Sequence, residues 1–165
     1  MLFRSRVAYT SSRGGIFVVP ALGGEPRQLA PRGSRPRFSP DGQWLAYQSN
    51  ESGRSEIYVQ TFPEPGRKVR VSQSGGQFPR WRRDGKELYY IGADDQLMAV
   101  PVTTGTSFTA GAPVALFAVG DYGRRQNRYV YDVSADGQKV LLLRPLDTAT
   151  RPLTVVQNWT ALLKK

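Results

Sequence analysis

The sequence contains no histidine and no cysteine. Without histidine, the chain lacks the usual general base of serine and cysteine hydrolases, the ligand of most zinc sites and the catalytic-loop histidine of protein kinases. Without cysteine, it has neither a disulfide framework nor a thiolate metal site. These absences exclude those classes of enzyme and metal site, and they leave other classes of enzyme open. We expect a chain that is not an enzyme and that uses no metal and no cofactor.

Long apolar runs are also missing. No stretch approaches the roughly eighteen consecutive apolar residues of a membrane helix, and residues 1–6 lack the apolar core of a secretory signal. We expect no membrane segment in this chain, and its composition leaves the cellular compartment undetermined.

Acidic residues are scarce, since 13 of them face 23 lysines and arginines, and the formal net charge is +10. This balance is typical either of a solvated basic surface or of a surface that binds an anionic partner. No helix-turn-helix, zinc finger or aromatic-basic strand motif accompanies the charge. Nucleic acid is therefore an alternative partner rather than the expected one.

Turn-forming residues are abundant, with 17 Gly and 12 Pro in a chain of 165 residues, which indicates many short strands in one domain. Residues 35–59 show the arrangement. A strand that ends at Phe38 leads into a turn in which Pro40 presets φ and Gly42 takes a positive φ. An apolar strand from Trp44 and a third strand from Glu56 follow. This segment predicts three strands of an antiparallel meander.

The same pattern returns twice more. Its turns are Asp41-Gly42, Asp84-Gly85 and Asp136-Gly137, spaced by 43 and then 52 residues. The fixed place of each aspartate in a hairpin predicts a structural turn rather than a metal ligand or an acid–base group. Four-stranded repeats of about 40–50 residues are typical of propeller blades. We predict an all-β fold, a single β-propeller segment (1–165) of about four blades that form an incomplete ring.

The blades are predicted at residues 1–30, 34–73, 77–119 and 128–160, followed by a short tail at 160–165 that forms at most one helical turn. Residues 103–111, rich in threonine and glycine, are predicted to be a loop that is flexible at 105–109. The first blade lacks its first strand and the last lacks its fourth. We therefore expect apolar faces at both ends, such as that carrying Val140 and Leu142, and self-association through the open blade edges.

These residues resemble a known repeat. The run Phe38-Ser39-Pro40-Asp41-Gly42, with Leu45-Ala46-Tyr47 and Ile57-Tyr58-Val59 after it, resembles the WD40-like (PD40-type) repeat of TolB-like β-propellers. Looser copies stand at 81–85 and 133–137, so that the resemblance covers residues 5–159. The ending at 154–160 is similar to the C-terminal propeller of some bacterial serine/threonine kinases.

The resemblance implies a non-catalytic binding or sensor module for a protein or small ligand. It also implies a place in a larger bacterial protein and a periplasmic or extracytoplasmic location. Because such propellers usually have six or more blades, we expect the chain to be a fragment. One alternative is the accessory propeller of a prolyl-oligopeptidase-like serine hydrolase. The other is nucleic-acid or anion binding through the basic strip at 67–86.

Four arginines are the candidate ligand-binding residues. Arg37 and Arg80 occupy equivalent positions on innermost strands, where a propeller channel opens, and Asp132 aligns with them in the last blade. Arg82 and Arg83 follow Arg80 closely. Because guanidinium groups offer paired donors to carboxylate or phosphate, we expect these arginines to converge near one mouth and to bind an acidic peptide or a small anion.

Overall fold

The computed structural model describes residues 6–120, 131–143 and 155–157. All regular structure in these ranges is β, and they contain no helix, hence none that could span a membrane. The prediction of an all-β fold is confirmed. The outer limits predicted for the first and last blades, together with the C-terminal tail, fall on residues outside these ranges.

The strands form four antiparallel sheets, which we call blades 1 to 4. Blade 1 consists of β1 (Arg6–Thr10), β2 (Ile16–Pro20) and β3 (Arg27–Ala30). Blade 2 consists of β4 (Ser34–Phe38), β5 (Trp44–Ser49), β6 (Glu56–Thr61) and β7 (Lys68–Arg70). Blade 3 consists of β8 (Gln77–Trp81), β9 (Glu87–Ile91), β10 (Gln96–Thr103), β11 (Thr109–Ala110) and β12 (Val114–Ala118). Blade 4 consists of β13 (Tyr131–Val133), β14 (Lys139–Leu142) and β15 (Val155–Gln157).

The core lies between neighbouring blades, as three hydrophobic clusters. Successive side chains of a strand point to opposite faces of its sheet, so a central strand can serve two clusters. In β5, Leu45 and Tyr47 pack toward blade 1, whereas Trp44 and Ala46 pack toward blade 3. This explains why the strand is apolar at consecutive positions instead of alternating with polar residues.

The loop predicted at residues 103–111 is shorter in the structure, where 104–108 connect two paired strands. Strand β10 continues to Thr103, and β11 pairs with its last two residues, Val102 and Thr103. Phe108 is buried, with its ring centre 5.5 Å from that of Trp44 and 6.2 Å from that of Trp81. One large aromatic side chain among small residues therefore anchors the segment at the interface of blades 2 and 3.

The predicted exposed face of blade 4 is also corrected. Val140 and Leu142 are buried in the cluster shared with blade 3, and the prediction that they are exposed is wrong. Strand alternation places the neighbouring residues, Leu141 and Leu143, on the other face, and these two are exposed. The register of the strand, rather than its apolar content, decides which side chains are covered.

Candidate functional site

Three charged residues recur at one position of the inner strands. Arg37 in β4 is paired with Ala46, Arg80 in β8 with Tyr89, and Asp132 in β13 with Leu141. These pairings place the three residues at equivalent positions in blades 2, 3 and 4. The indole Nε1 of Trp81 donates a hydrogen bond to the carbonyl oxygen of Arg37 at 3.1 Å, so β4 and β8 are neighbours. The repeat thus places charged residues at the same position of the inner strands in blades 2, 3 and 4.

Arg80 and Asp132 form a loose ion pair across the gap between blades 3 and 4. The guanidinium Nε lies 3.7 Å from Oδ1 of the carboxylate, beyond hydrogen-bond length. The Arg80 side chain is only 18% exposed, whereas that of Asp132 is 70% exposed. A largely buried cation is therefore faced by an exposed carboxylate that does not hold it closely.

The buried hydroxyl of Tyr131 links blade 4 to blade 3. This hydroxyl donates a hydrogen bond to the carbonyl oxygen of Phe78 at 2.7 Å. Burial raises the pKa of Tyr131 well above its ordinary value, while the positive charges of Arg80 and Arg37 oppose that rise. The positive charges of both arginines thus act on one buried hydroxyl at the interface of blades 3 and 4.

Arg82 is engaged with carboxylates of its own hairpin. Its guanidinium makes two hydrogen bonds of 2.7 Å to Asp84 and lies 3.0 Å from Oε2 of Glu87. The hydrogen bond from Arg82 lowers the pKa of Asp84 to about 2. Arg83 is exposed in the same turn. The four predicted arginines thus divide into an inner-strand pair and a turn pair.

The three Asp-Gly turns share one geometry. Oδ1 of the aspartate accepts the backbone N–H two residues later, at 3.1 Å for Asp41, 3.0 Å for Asp84 and 2.9 Å for Asp136. The glycines have φ values of 70°, 74° and 73°, in the left-handed region that disfavours other residues. These carboxylates stabilise hairpins by capping turn amides.

Two residues with unusual backbone geometry were missed at the sequence level. Arg35 and Phe78 have φ values of 56° and 59°, and each precedes a proline at an irregularity in strand pairing. The guanidinium carbon of Arg35 lies 4.1 Å from the centre of the Phe78 ring. Oε1 of Gln48 accepts hydrogen bonds from both residues, each 3.2 Å long. The signal was the recurrence of Arg35-Pro36-Arg37-Phe38 as Phe78-Pro79-Arg80-Trp81.

Glu56 was also missed. It is fully buried at the start of β6 and accepts hydrogen bonds from Nε of Arg54 at 2.7 Å and from the backbone N–H of Gly75 at 3.1 Å. The hydroxyl of Ser72 donates to the same carboxylate. The sequence signal for this buried carboxylate was a charged residue at the start of the otherwise apolar run 56–59. Glu56 ties β6 to the connection between blades 2 and 3.

Two adjoining clefts, of about 410 and 450 Å³, lie between that connection and the turn joining β9 to β10. They share Ser74, Gly75, Gly92 and Ala93 as lining residues. Neither cleft is lined by Arg37 or Arg80, so the candidate site on the inner strands is separate from both.

Comparison with known proteins supports the architecture. No protein-family model and no curated protein matches the chain. Among solved structures, a TolB protein from Agrobacterium tumefaciens matches with a TM-score of 0.59 and 19% identity, over 91% of this chain and 54% of that one. An oligogalacturonate lyase from Vibrio parahaemolyticus matches with a TM-score of 0.53 and 15% identity, over 91% and 38%.

The tricorn protease matches with a TM-score of 0.55 and 14% identity, over 95% of this chain and 16% of that one. At such identities the likeness concerns the fold alone. The chain has a TolB-like β-propeller fold, and it spans about half the length of the TolB structure from Agrobacterium tumefaciens.

Proposed function

We propose that the chain is a non-catalytic binding module whose inner strands take a carboxylate-bearing ligand, above all an acidic segment of a partner protein. The observation that carries this proposal is the placement of Arg37 and Arg80 at one repeat position, with Asp132 loosely opposite Arg80. Guanidinium groups are matched to carboxylates because their donors can engage both oxygens at once.

The loose pair between Arg80 and Asp132 supports an exchangeable partner for Arg80. At 3.7 Å the pair gains Coulomb attraction but not the short, charge-assisted hydrogen bond that an optimal pair would form. A ligand carboxylate that approached Arg80 more closely than Asp132 does would add the short hydrogen bond that this pair lacks. Asp132 then acts as a competitor for the same guanidinium.

A non-catalytic role is supported by the use that the fold makes of its carboxylates. Asp41, Asp84 and Asp136 cap turns, and Glu56 holds a buried connection. The lyase and the protease among the structural neighbours are named as enzymes, but the likeness to them is one of fold. Their activities therefore do not favour a catalytic proposal for this chain.

The experiment measures binding of a fluorescent decaglutamate peptide to the full chain by anisotropy, at 20 and 200 mM salt. Changing Arg37 and Arg80 together to Gln should weaken binding about 10-fold or more, because charge-assisted hydrogen bonds are lost. Asp132→Asn should strengthen binding by removing the competitor. The charge-matched control changes Arg13 and Arg32, which are exposed outside the site, to Gln.

The control should alter affinity by less than about 2-fold, since exposed charges act weakly through solvent. Equal losses in the double variant and the control would mean that net charge alone attracts the peptide, and the proposed site would be wrong. A chain that binds no peptide at low salt would refute the proposal as well. The same assay with single-stranded DNA tests the nucleic-acid alternative. That alternative would be favoured if the chain bound DNA more tightly than the peptide and if both double variants lost DNA binding equally.

A further inference from the structure

The repeat provides an internal standard for which side chains a blade normally covers. Blades 2, 3 and 4 each present two side chains of an equivalent strand toward the preceding blade. None of these side chains is more than 9% exposed. These pairs are Leu45 and Tyr47, Leu88 and Tyr90, and Val140 and Leu142. The corresponding residues of blade 1 are Val7 and Tyr9, which are 50% and 37% exposed. Blade 1 therefore presents an uncovered face of a kind that is buried in every later blade.

The uncovered face of blade 1 is larger than these two residues. Val7 is paired with Val19 and Tyr9 with Phe17, so all four side chains lie on one side of the sheet. The rings of Tyr9 and Phe17 are stacked with centres 5.9 Å apart. The opposite side, with Ile16 and Val18, is buried against blade 2. We call Val7, Tyr9, Phe17 and Val19 the blade 1 face.

Blade 4 is uncovered on the complementary side. Toward the following blade, blades 2 and 3 present Ala46, Tyr89 and Ile91, which are all buried. At the positions of Tyr89 and Ile91, blade 4 has Leu141 and Leu143, which are 40% and 55% exposed. We call these two residues the blade 4 face. Among the residues that the structure describes, no hydrophobic cluster joins blade 4 to blade 1.

We propose that the blade 4 face of one copy docks on the blade 1 face of a second copy of this chain. Each of the three interfaces inside the chain pairs a face turned to the following blade with a face turned to the preceding one. The chain carries one uncovered face of each type, so a second copy supplies the matching half for both. The smallest closed assembly is a two-fold dimer containing this contact twice.

Charge gives the assembly a characteristic salt dependence. Each copy carries a formal charge of +10, so two copies repel each other while their apolar faces attract. Added salt screens the repulsion and leaves the apolar contact in place. Dimerisation through these faces should therefore strengthen as salt rises, opposite to the salt dependence of peptide binding at the inner-strand arginines.

The experiment is sedimentation velocity of the full chain between 1 and 100 µM at low and high salt. Two double variants each remove one face, one with Val7→Ser and Tyr9→Ser, the other with Leu141→Ser and Leu143→Ser. Wild type should dimerise, more strongly at high salt, and each double variant should stay monomeric by itself. An equimolar mixture of the two variants should form a heterodimer, because it retains one intact pair of complementary faces. Leu22→Ser, at an almost fully exposed leucine outside both faces, should behave as wild type.

The proposal is overturned if wild type stays monomeric over the whole range, if either variant dimerises alone as wild type does, or if the mixture remains monomeric. Circular dichroism of each variant establishes that it is folded before mixing. If a variant does not fold, amide hydrogen exchange of the wild-type chain tests the contact instead. Exchange in β1 and β14 should slow as the protein concentration rises, whereas exchange in β5 and β9 should stay unchanged. Exchange in β1 and β14 that is independent of concentration would contradict the contact.

Discussion

The guanidinium carbon of Arg35 lies 4.1 Å from the centre of the Phe78 ring, and the two residues occupy the same position of consecutive blades. Both precede a proline, and both have a positive φ. A non-glycine residue in this region costs on the order of 1–3 kcal/mol, so neighbouring contacts must stabilise it. Here the strained residue of one blade is held by the strained residue of the next, which couples the two inner strands.

This coupling predicts an inverted order of stabilities at position 35. Arg35→Ala should destabilise the fold by about 1–2 kcal/mol, because the contact with Phe78 is lost while the strain remains. Arg35→Gly also loses the contact but relieves the strain, and should be about 1 kcal/mol more stable than Arg35→Ala. Urea unfolding of both variants measures the difference.

The control is Arg37, which lies in the same strand without a positive φ. There the ordinary order should hold, with Arg37→Gly less stable than Arg37→Ala by about 0.5–1 kcal/mol. If the glycine variant were less stable than the alanine variant at both positions, the backbone strain at Arg35 would make no contribution to the free energy of unfolding.

Glu56 allows a second prediction, about the connection between blades 2 and 3. Glu56→Ala removes a fully buried carboxylate that accepts hydrogen bonds from Arg54, Ser72 and Gly75. Since buried donors left without acceptors cost about 1–3 kcal/mol, unfolding free energy should fall by about 3 kcal/mol. Chemical denaturation measures this loss.

Glu64 is the matched control, because its carboxylate pairs with Arg27 at 2.8 Å but is mostly exposed. Glu64→Ala should change the unfolding free energy by less than about 1 kcal/mol. If the two glutamate variants lose similar amounts of stability, the buried network of Glu56 does not hold the connection as inferred.

Local turn chemistry accounts for what the sequence predicted correctly. Asp41 and Gly42 form contacts within a few residues of themselves, so the strands on either side could be placed without knowledge of the fold. The apolar run of β5 then indicated a strand covered on both sides. Together these local signals predicted the all-β architecture and its TolB-like character.

Non-local contacts account for what was missed. Phe108 is anchored by Trp44 and Trp81, which lie on other strands, so nothing within residues 103–111 indicated its burial. Which face of β14 is covered likewise depends on its neighbour in blade 3. The pairing of Arg82 with Asp84 and Glu87 is instead local, and the alternating charges of this hairpin in the sequence indicate it.

The last prediction concerns that pairing and its dependence on pH. The hydrogen bond from Arg82 is the main cause of the low pKa of Asp84, about 2. Because this folded-state pKa lies below the unfolded value of about 3.9, the pair stabilises the fold above about pH 4 and loses this effect as pH falls to about 2. The stabilisation should be below about 1 kcal/mol, since Asp84 is 42% exposed and solvent screens the pair.

Nuclear magnetic resonance titration of the aspartate carboxyl carbons measures the pKa directly. Arg82→Gln should raise the pKa of Asp84 toward its ordinary value, because a neutral amide cannot replace the two charged hydrogen bonds. Asp136 serves as control in the same spectrum, since its pKa is lowered chiefly by the hydroxyl of Ser134. Its titration should not move. An unchanged pKa of Asp84 in Arg82→Gln would mean that the turn amides, and not Arg82, hold the carboxylate, leaving the guanidinium available to a ligand.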